Sequence, residues 1–239
     1  MLQDKGDLAA AEPLYHEALE VQRETLGSRH PNTLSSINNL GGLLKDKGDL
    51  AAAELLLREW MEALRETLGN RHSSTLISIS NLGSLLKYKG DLAAAEPLYC
   101  EALEGHRDTL GNRHPDTLDS ISYLGRLLYK RGDLAAAEAL YREALEGRRE
   151  TLGNRHPDTL ISISNLGSLL KDKGDLAAAE ALYREALEGR RETLGSLHPS
   201  TLRSVKYLGR LLKAKGDTEA AEPLPREAKQ AEQALTVLP

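Results

Sequence analysis

The sequence predicts an all-α fold, a right-handed superhelical solenoid of antiparallel helix hairpins with about 11 helices. A Gly-Asp pair recurs every 42 residues, and a histidine recurs with the same spacing at the other junction of the unit. Periods of this size are typical of solenoids, in which each repeat buries its apolar face against its neighbours. The glycines are Gly6, Gly48, Gly90, Gly132, Gly174 and Gly216, and the histidines are His30, His72, His114, His156 and His198.

The first helix of the unit is clearest from Pro157 to about Lys173. Its apolar residues recur at spacings of three and four, which is the period of a helix and not of a strand. They are Leu160, Ile163, Leu166, Leu169 and Leu170. Proline suits the first helical position, where its missing N–H is not needed, but Asp158 could cap the helix instead, and both alternatives stay open. Gly174 then predicts a left-handed cap at the end of the helix.

The second helix is predicted from Asp175, a good N-cap, to about Leu194. Because the connections between the two helices are short, the helices must lie antiparallel and in contact. Gly167 in the first helix and Ala179 and Ala186 in the second carry no bulky side chain. These small residues allow the two helix axes to approach closely.

The same residues resemble a known family of repeats. Their spacing matches the tetratricopeptide repeat at Leu166, Gly167, Gly174, Ala179, Tyr183 and Ala186. Two features depart from that pattern, because Ile163 stands at the tryptophan position and the unit has 42 residues instead of 34. The longer unit, with His-Pro, Asn-Leu-Gly and Ala-Glu-x-Leu-Tyr-x-Glu-Ala-Leu, resembles the kinesin light chain and nephrocystin type. This resemblance is specific for the fold and weak for function, since the matching residues are packing residues.

The repeat predicts one continuous array over residues 1–239, with six helices of the second type and five of the first. Its parts are a partial repeat over 1–28, full repeats over 29–70, 71–112, 113–154 and 155–196, and a last repeat over 197–239. The last repeat is expected to end in a capping helix that is broken or kinked near Pro225. The opening helix lacks a first-helix partner, so we expect either an upstream part or an exposed face that promotes self-association.

The amino-acid composition limits the compartment and the partners that are expected for this protein. The net charge is −5 and one cysteine is present, which excludes an intrachain disulfide and favours a reducing compartment. The charged start contains no apolar segment of a signal peptide, and no apolar run approaches the roughly 20 residues that span a bilayer. We therefore expect a cytoplasmic protein without a membrane partner. The acidic balance also opposes nucleic-acid binding.

The sequence predicts no enzyme, no metal site and no cofactor. Junction histidines 42 residues apart fall on successive repeats, about 10 Å apart given helix packing distances, which is too far to share a metal. Cys100 stands where other repeats have an exposed arginine, so a surface thiol is expected there. The glutamates recur in several units, whereas a catalytic carboxylate needs a single environment that shifts its pKa.

Some positions break the repeat. Leu57 replaces a tyrosine and Trp60 replaces an alanine, which indicates either local repacking or a tryptophan that stacks on a ligand. Gly105, Gly147 and Gly189 lie inside second helices, where glycine costs about 1 kcal/mol of helix propensity. They indicate either a close helix crossing or a bend, and the sequence leaves both open.

Charge divides between the two kinds of helix. The five first-helix windows (31–47, 73–89, 115–131, 157–173 and 199–215) hold 14 basic and 5 acidic residues, a net of +9, so the remainder carries −14. Lysines in last turns are favoured by the helix dipole alone, by about 0.3–1 kcal/mol. That preference does not account for Arg126 or for Arg203, Lys206 and Arg210, which lie earlier. The last three share one helix face with Lys213.

In the families that the chain resembles, first helices line a concave groove and asparagines there bind the backbone of an extended peptide. The predicted groove residues are Asn38, Asn39, Lys45, Asn81, Lys87, Tyr123, Arg126, Tyr129, Asn165, Lys171, Arg203, Lys206, Tyr207, Arg210 and Lys213. The leading hypothesis is a non-enzymatic protein-interaction scaffold that binds an acidic peptide. The alternatives are a self-assembly module that docks through its terminal helix and, from resemblance only, a kinesin-light-chain-like cargo adaptor.

Overall fold

The computed structural model describes residues 8–222, and this part of the chain forms eleven helices and no strand. The helices are α1 (Leu8–Leu26), α2 (Pro31–Lys47), α3 (Leu50–Leu68), α4 (Ser73–Lys89), α5 (Leu92–Leu110), α6 (Pro115–Arg131), α7 (Leu134–Leu152), α8 (Pro157–Asp172), α9 (Leu176–Leu194), α10 (Pro199–Lys215) and α11 (Thr218–Ala221). The predicted all-α class is confirmed. Even-numbered helices are the predicted first helices, and odd-numbered helices are the second. The predicted break near Pro225 lies outside the described residues.

Every first helix begins with a histidine cap. His156 lies just before α8, and its Nδ1 accepts a hydrogen bond from the N–H of Asp158 at 3.2 Å. Pro157 takes the first helical position. The structure therefore confirms Pro157 at the first helical position, and the N-cap is His156 and not Asp158. The same bond is made by His30, His72, His114 and His198.

The second helices begin at the Gly-Asp junctions. Gly174 has φ +88°, which a residue with a Cβ rarely adopts, and it turns the chain between α8 and α9. Asp175 then accepts a hydrogen bond from the N–H of Ala178 at 3.0 Å and caps α9, as predicted. The junction residues thus end one helix and start the next within two positions.

The chain divides into two compact units, one up to Leu127 and one from Leu128, and the division falls inside α6. Within the first unit, sequential helices from α1 to α5 pack pairwise, and within the second unit α7 to α11 do the same. Their cores are built from the predicted stripe of leucine, isoleucine and alanine. One array that is continuous over the whole chain stays a prediction.

A glycine of the first helix makes room for a ring of the second helix. A Cβ at Gly167 would lie 3.0 Å from Cε1 of Tyr183, closer than real Cβ contacts normally come. The ring is held in place, because the Tyr183 hydroxyl lies 2.9 Å from Ser168 Oγ and the ring stacks on Tyr207 at 5.8 Å. Gly83 and Tyr99 repeat this contact in the first unit, with a Cβ distance of 3.2 Å.

Two of the glycines inside second helices mark a second close approach. A Cβ at Gly105 would lie 2.4 Å from Cδ2 of Leu76, and one at Gly189 would lie 2.5 Å from Cδ2 of Leu160. Each contact joins a second helix to the first helix that precedes it. At these two positions the structure therefore selects the close crossing over the bend that the sequence had left open.

Ion pairs join second helices to the first helix that follows each of them. Lys173 pairs with Glu138 and Lys215 pairs with Glu180, both at 2.5 Å, and Lys47–Glu12 and Lys89–Glu54 are equivalent pairs. Hydrogen bonds from these lysines hold the pKa of the Glu54, Glu138 and Glu180 carboxyls below its usual value. These four lysines, which the charge count of the first helices included, are therefore neutralised by second-helix carboxylates.

Helix α1, which is a second helix by type, exposes apolar side chains. Leu14 is 55% exposed and Val21 is 51% exposed, whereas Ala63, which is equivalent to Val21 one repeat later, is fully buried. Self-association through this face stays a prediction. Between residues 8 and 222, no helix is both long enough and apolar enough to cross a membrane.

Two glycine-to-alanine substitutions separate packing from helix propensity. Gly167→Ala should lower the free energy of unfolding by about 1–3 kcal/mol, because the Tyr183 ring cannot move away. Gly42→Ala is the matched control, since a Cβ at this helical glycine meets nothing within 4 Å. It should raise stability by about 0.5–1 kcal/mol. Urea denaturation measures both, and a stabilising Gly167→Ala would contradict the packing described above.

Candidate functional site

Three clefts in the described structure share one construction. In each, two successive first helices form the walls and the second helix between them contributes the floor. The floor residues are Leu64, His106 and Arg190, which occupy one equivalent position in their repeats. We name the clefts after Trp60, His106 and Arg190. Each lies wholly within one of the two units.

The Trp60 cleft is the largest of the three, about 370 Å³, and is mainly apolar. Its walls include Asn38 and Asn39 of α2, and its floor holds Trp60 and Leu64 of α3. Trp60 is only 8% exposed and Leu57 is buried beside Gly41. Repacking of the core therefore accounts for both substitutions, while one edge of Trp60 still reaches the cleft.

The His106 cleft is small, about 90 Å³. His106 is 2% exposed, and its Nδ1 lies 2.8 Å from Ser120 Oγ. Its Nε2 and the hydroxyl of Ser80 are buried and have no hydrogen-bond partner within residues 8–222. Burial lowers the pKa of His106, although Asp116 and Asp119 at the cleft oppose that shift. The imidazole is therefore held in its neutral form.

The Arg190 cleft, about 210 Å³, lies between α8 and α10. Arg190 is 8% exposed, and its Nη1 donates to Ser164 Oγ at 2.9 Å and Ser204 Oγ at 2.5 Å. Its Nη2 donates to the carbonyl of Leu160 at 3.0 Å. All three acceptors are neutral. Burial, followed by the nearby charge of Arg203, lowers the pKa of Arg190.

The floor position holds a histidine in one cleft and an arginine in another, and the two side chains bond to different numbers of serines. Arg190 reaches both the serine of the preceding first helix and the serine of the following one. His106 is shorter and bonds only the following serine, so Ser80, equivalent to Ser164, is left without a partner in the described part of the chain. The floor residue thus decides how polar each cleft is.

The predicted groove residues divide between the two units. The first unit holds Asn38, Asn39, Lys45, Asn81, Lys87, Tyr123 and Arg126, and the second holds Tyr129, Asn165, Lys171, Arg203, Lys206, Tyr207, Arg210 and Lys213. Asn81 Nδ2 donates to Asn38 Oδ1 at 3.5 Å, which places α2 and α4 side by side. Asn165, Arg203 and Tyr207 meet at the Arg190 cleft.

Other predicted groove residues are held by neighbours. The hydroxyl of Tyr129 donates to Asp172, and this bond lowers the pKa of the Asp172 carboxyl. Lys87 Nζ lies 6.0 Å from the centroid of the Tyr99 ring. Lys45 and Lys171 each lie near an adjacent aspartate, at 3.7 and 3.0 Å. Arg203, Lys206, Arg210 and Lys213 of α10 are all exposed.

The sequence prediction missed His106 and Arg190, because it searched the first helices alone. The sequence did contain a signal for this position, because its residue changes from repeat to repeat whereas most buried positions keep the same residue. The residues at the floor position are Gln22, Leu64, His106, Arg148 and Arg190. Cys100 is exposed, as predicted. Residues 8–222 contain no cluster of three or more histidine, cysteine, aspartate or glutamate side chains that could hold a metal ion.

The repeat pattern of the chain matches a known protein family. The tetratricopeptide repeat family matches residues 1–66, 74–150, 116–192 and 158–231. The chain belongs to the tetratricopeptide repeat family. Repeats of this family suggest a protein-interaction scaffold, in agreement with the coarser part of the functional prediction. A search of curated protein sequences finds no significant match.

Solved structures show the same fold. The crystal structure of BtubC (BKLC) from P. vanneervenii has a TM-score of 0.81 at 22% identity, over 98% of this chain and 93% of that one. The putative kinesin light chain of Podosopora anserina, with nearly identical TPR-like repeats, has a TM-score of 0.76 at 26% identity, over 87% of this chain and 99% of that one. A variant of that protein gives a TM-score of 0.77. The predicted resemblance to kinesin-light-chain-like tetratricopeptide repeats is confirmed.

The buried imidazole predicts a pH dependence of stability. The pKa of His106 in the folded chain lies below its ordinary value near 6.5, so the unfolded chain binds more protons as the pH falls through that value. Stability should therefore decrease from about pH 7 to about pH 5. His106→Gln should reduce this decrease, whereas His16→Gln, on an exposed histidine, should not. Thermal unfolding across this range measures the effect, and equal slopes for His106→Gln and wild type would contradict it.

Proposed function

We propose that the protein is a non-enzymatic scaffold that binds an extended acidic peptide on the first helices α8 and α10 of the second unit. The observation that supports this most directly is the charge of α10. That helix carries five basic residues and no acidic residue. A chain with a net charge of −5 thus presents one strongly cationic helix.

The basic side chains of α10 differ in whether the fold already neutralises them. Lys215, in the last turn, pairs with Glu180 of α9. Arg203, Arg210 and Lys213 are exposed and have no carboxylate partner within residues 8–222. Exposed cations without internal partners raise the local potential and attract an acidic ligand. A last-turn dipole preference does not account for all of this charge, because Arg203 lies in the first turns of the helix.

Neutral groups beside these cations suit a peptide backbone. Asn165 and Tyr207 are half-buried at the Arg190 cleft and lie between the two helices. An amide side chain offers both a donor and an acceptor, which matches the N–H and C=O of an extended chain. Tyr207 is held by its stack on Tyr183, so it offers contact area at low entropic cost.

The first unit offers a related face with less charge. Asn38, Asn39 and Asn81 lie on α2 and α4, and Asn38 and Asn39 border the apolar Trp60 cleft. We infer that this face, taken by itself, suits backbone and apolar contacts to a peptide and lacks the charge selectivity of α10. A cargo-adaptor role like that of kinesin light chains rests on the likeness of fold alone.

A pair of charge reversals tests the proposed peptide site. Arg210→Glu with Lys213→Glu should weaken binding of a fluorescent poly-glutamate peptide about tenfold or more at low salt, because the attraction of α10 is reversed. Arg142→Glu with Arg184→Glu, on exposed second-helix positions, changes the net charge by the same amount. Fluorescence anisotropy at two salt concentrations gives the affinities.

The control pair should bind with an affinity within about twofold of wild type, since neither Arg142 nor Arg184 is among the α10 cations without a carboxylate partner in residues 8–222. Binding to wild type should weaken as salt is added. Equal losses in the two double variants would mean that net charge, and not the α10 face, attracts the peptide. An affinity unchanged by Arg210→Glu with Lys213→Glu would contradict the proposed site.

A further inference from the structure

We propose that the Arg190 cleft binds a phosphate monoester, of the kind carried by a phosphoserine or phosphothreonine side chain. The proposal rests on the proposed function in one respect, since the phosphorylated residue would belong to a bound peptide. It adds a specific chemical group and a specific place. It rests on a buried charge that no carboxylate of residues 8–222 balances.

Arg190 is a buried cation with neutral partners only. Its three hydrogen bonds go to two serine hydroxyls and one carbonyl, and no carboxylate of residues 8–222 pairs with it. Buried charges in proteins are normally paired or bound to an ion, because removal from water is costly. The guanidinium nevertheless lines an open cleft, where an anion from solution can reach it.

A second cation lines the same cleft. Arg203 is exposed, has no carboxylate partner within the described residues, and lies close enough to lower the pKa of Arg190. Two neighbouring guanidinium groups without counter-ions favour a ligand of more than one negative charge. A phosphate monoester carries about −1.5 to −2 at neutral pH, whereas a carboxylate carries −1.

The donors around the cleft fit the same ligand. A guanidinium presents a planar fork of N–H groups that matches phosphate oxygens, and Arg is preferred over Lys for this geometry. Ser200, Asn165 and Tyr207 add hydroxyl and amide groups at the rim. The hydroxyls of Ser164 and Ser204 take both Nη1 N–H groups and the carbonyl of Leu160 takes one Nη2 N–H, so the guanidinium is fixed before a ligand arrives. The Nε N–H and the second Nη2 N–H are the donors that a phosphate would use.

The other two clefts do not share this chemistry. The floor of the Trp60 cleft is Leu64, which offers no charge. In the His106 cleft the imidazole is favoured in its neutral form, and Asp116 and Asp119 would repel an anion. A phosphate site is therefore expected at the Arg190 cleft and not at these equivalents.

The probe is N-acetyl-O-phosphoserine amide, and N-acetyl-aspartate amide is the comparison ligand. Isothermal titration calorimetry of the full chain at constant ionic strength should show the phosphate binding at least about tenfold more tightly than the carboxylate. Arg190→Gln should weaken phosphate binding about tenfold or more. Arg184→Gln, which removes the same charge from an exposed position on α9, should leave it unchanged.

Arg203→Gln is the second variant, and it should also weaken phosphate binding because it removes the second cation of the cleft. Since Arg203 is exposed, this substitution should leave the fold intact. Equal affinities for the two ligands, or phosphate binding unaffected by both Arg190→Gln and Arg203→Gln, would overturn the proposal. The two proposals fail separately. Arg210→Glu with Lys213→Glu should weaken poly-glutamate binding about tenfold or more while the phosphoserine derivative still binds, since neither residue lines the cleft.

Discussion

Close packing of a first-helix glycine against a side chain of the following second helix sets the distance between the two helices of a hairpin. At Gly167 the ring of Tyr183 occupies the space that a Cβ would take, and its hydroxyl is tied to Ser168. Gly189 then lets α9 approach Leu160 of the first helix before it. Both contacts join α8 and α9, so they fix how closely the two helices of this hairpin approach each other. The Arg190 cleft opens where α10 packs against the same second helix.

The floor position explains why one fold offers different chemistry in different repeats. Residues that hold the hairpins together are copied from unit to unit, because each hairpin must pack in the same way. The floor residue lines a cleft whose walls are two first helices, and Leu64, His106 and Arg190 are all accommodated at this position. The charge at a cleft therefore changes without a change in the packing around it.

Much of the fold could be predicted from sequence, because periodicity, caps and small residues act over short distances. The Asp175 cap and the Gly174 turn depend on residues within three positions. The site was harder to predict. Arg190 meets Ser204 and Ser164, 14 and 26 residues away, and only packing brings them together. The sequence charge count also included Lys215, which Glu180 neutralises in the fold.

The measurement that tests this account most directly is the exchange behaviour of the Arg190 side chain in the ligand-free protein. In ¹⁵N-resolved NMR spectra of the arginine side chains, the three hydrogen-bonded Nη protons of Arg190 should be separately resolved and exchange slowly with water. Their three neutral acceptors restrict rotation of the guanidinium and hold these protons in hydrogen bonds. Assignment follows from the signals that disappear in Arg190→Gln. If these protons gave one averaged signal and exchanged as fast as those of exposed Arg184, Arg190 would not be a buried guanidinium that is hydrogen-bonded to neutral acceptors.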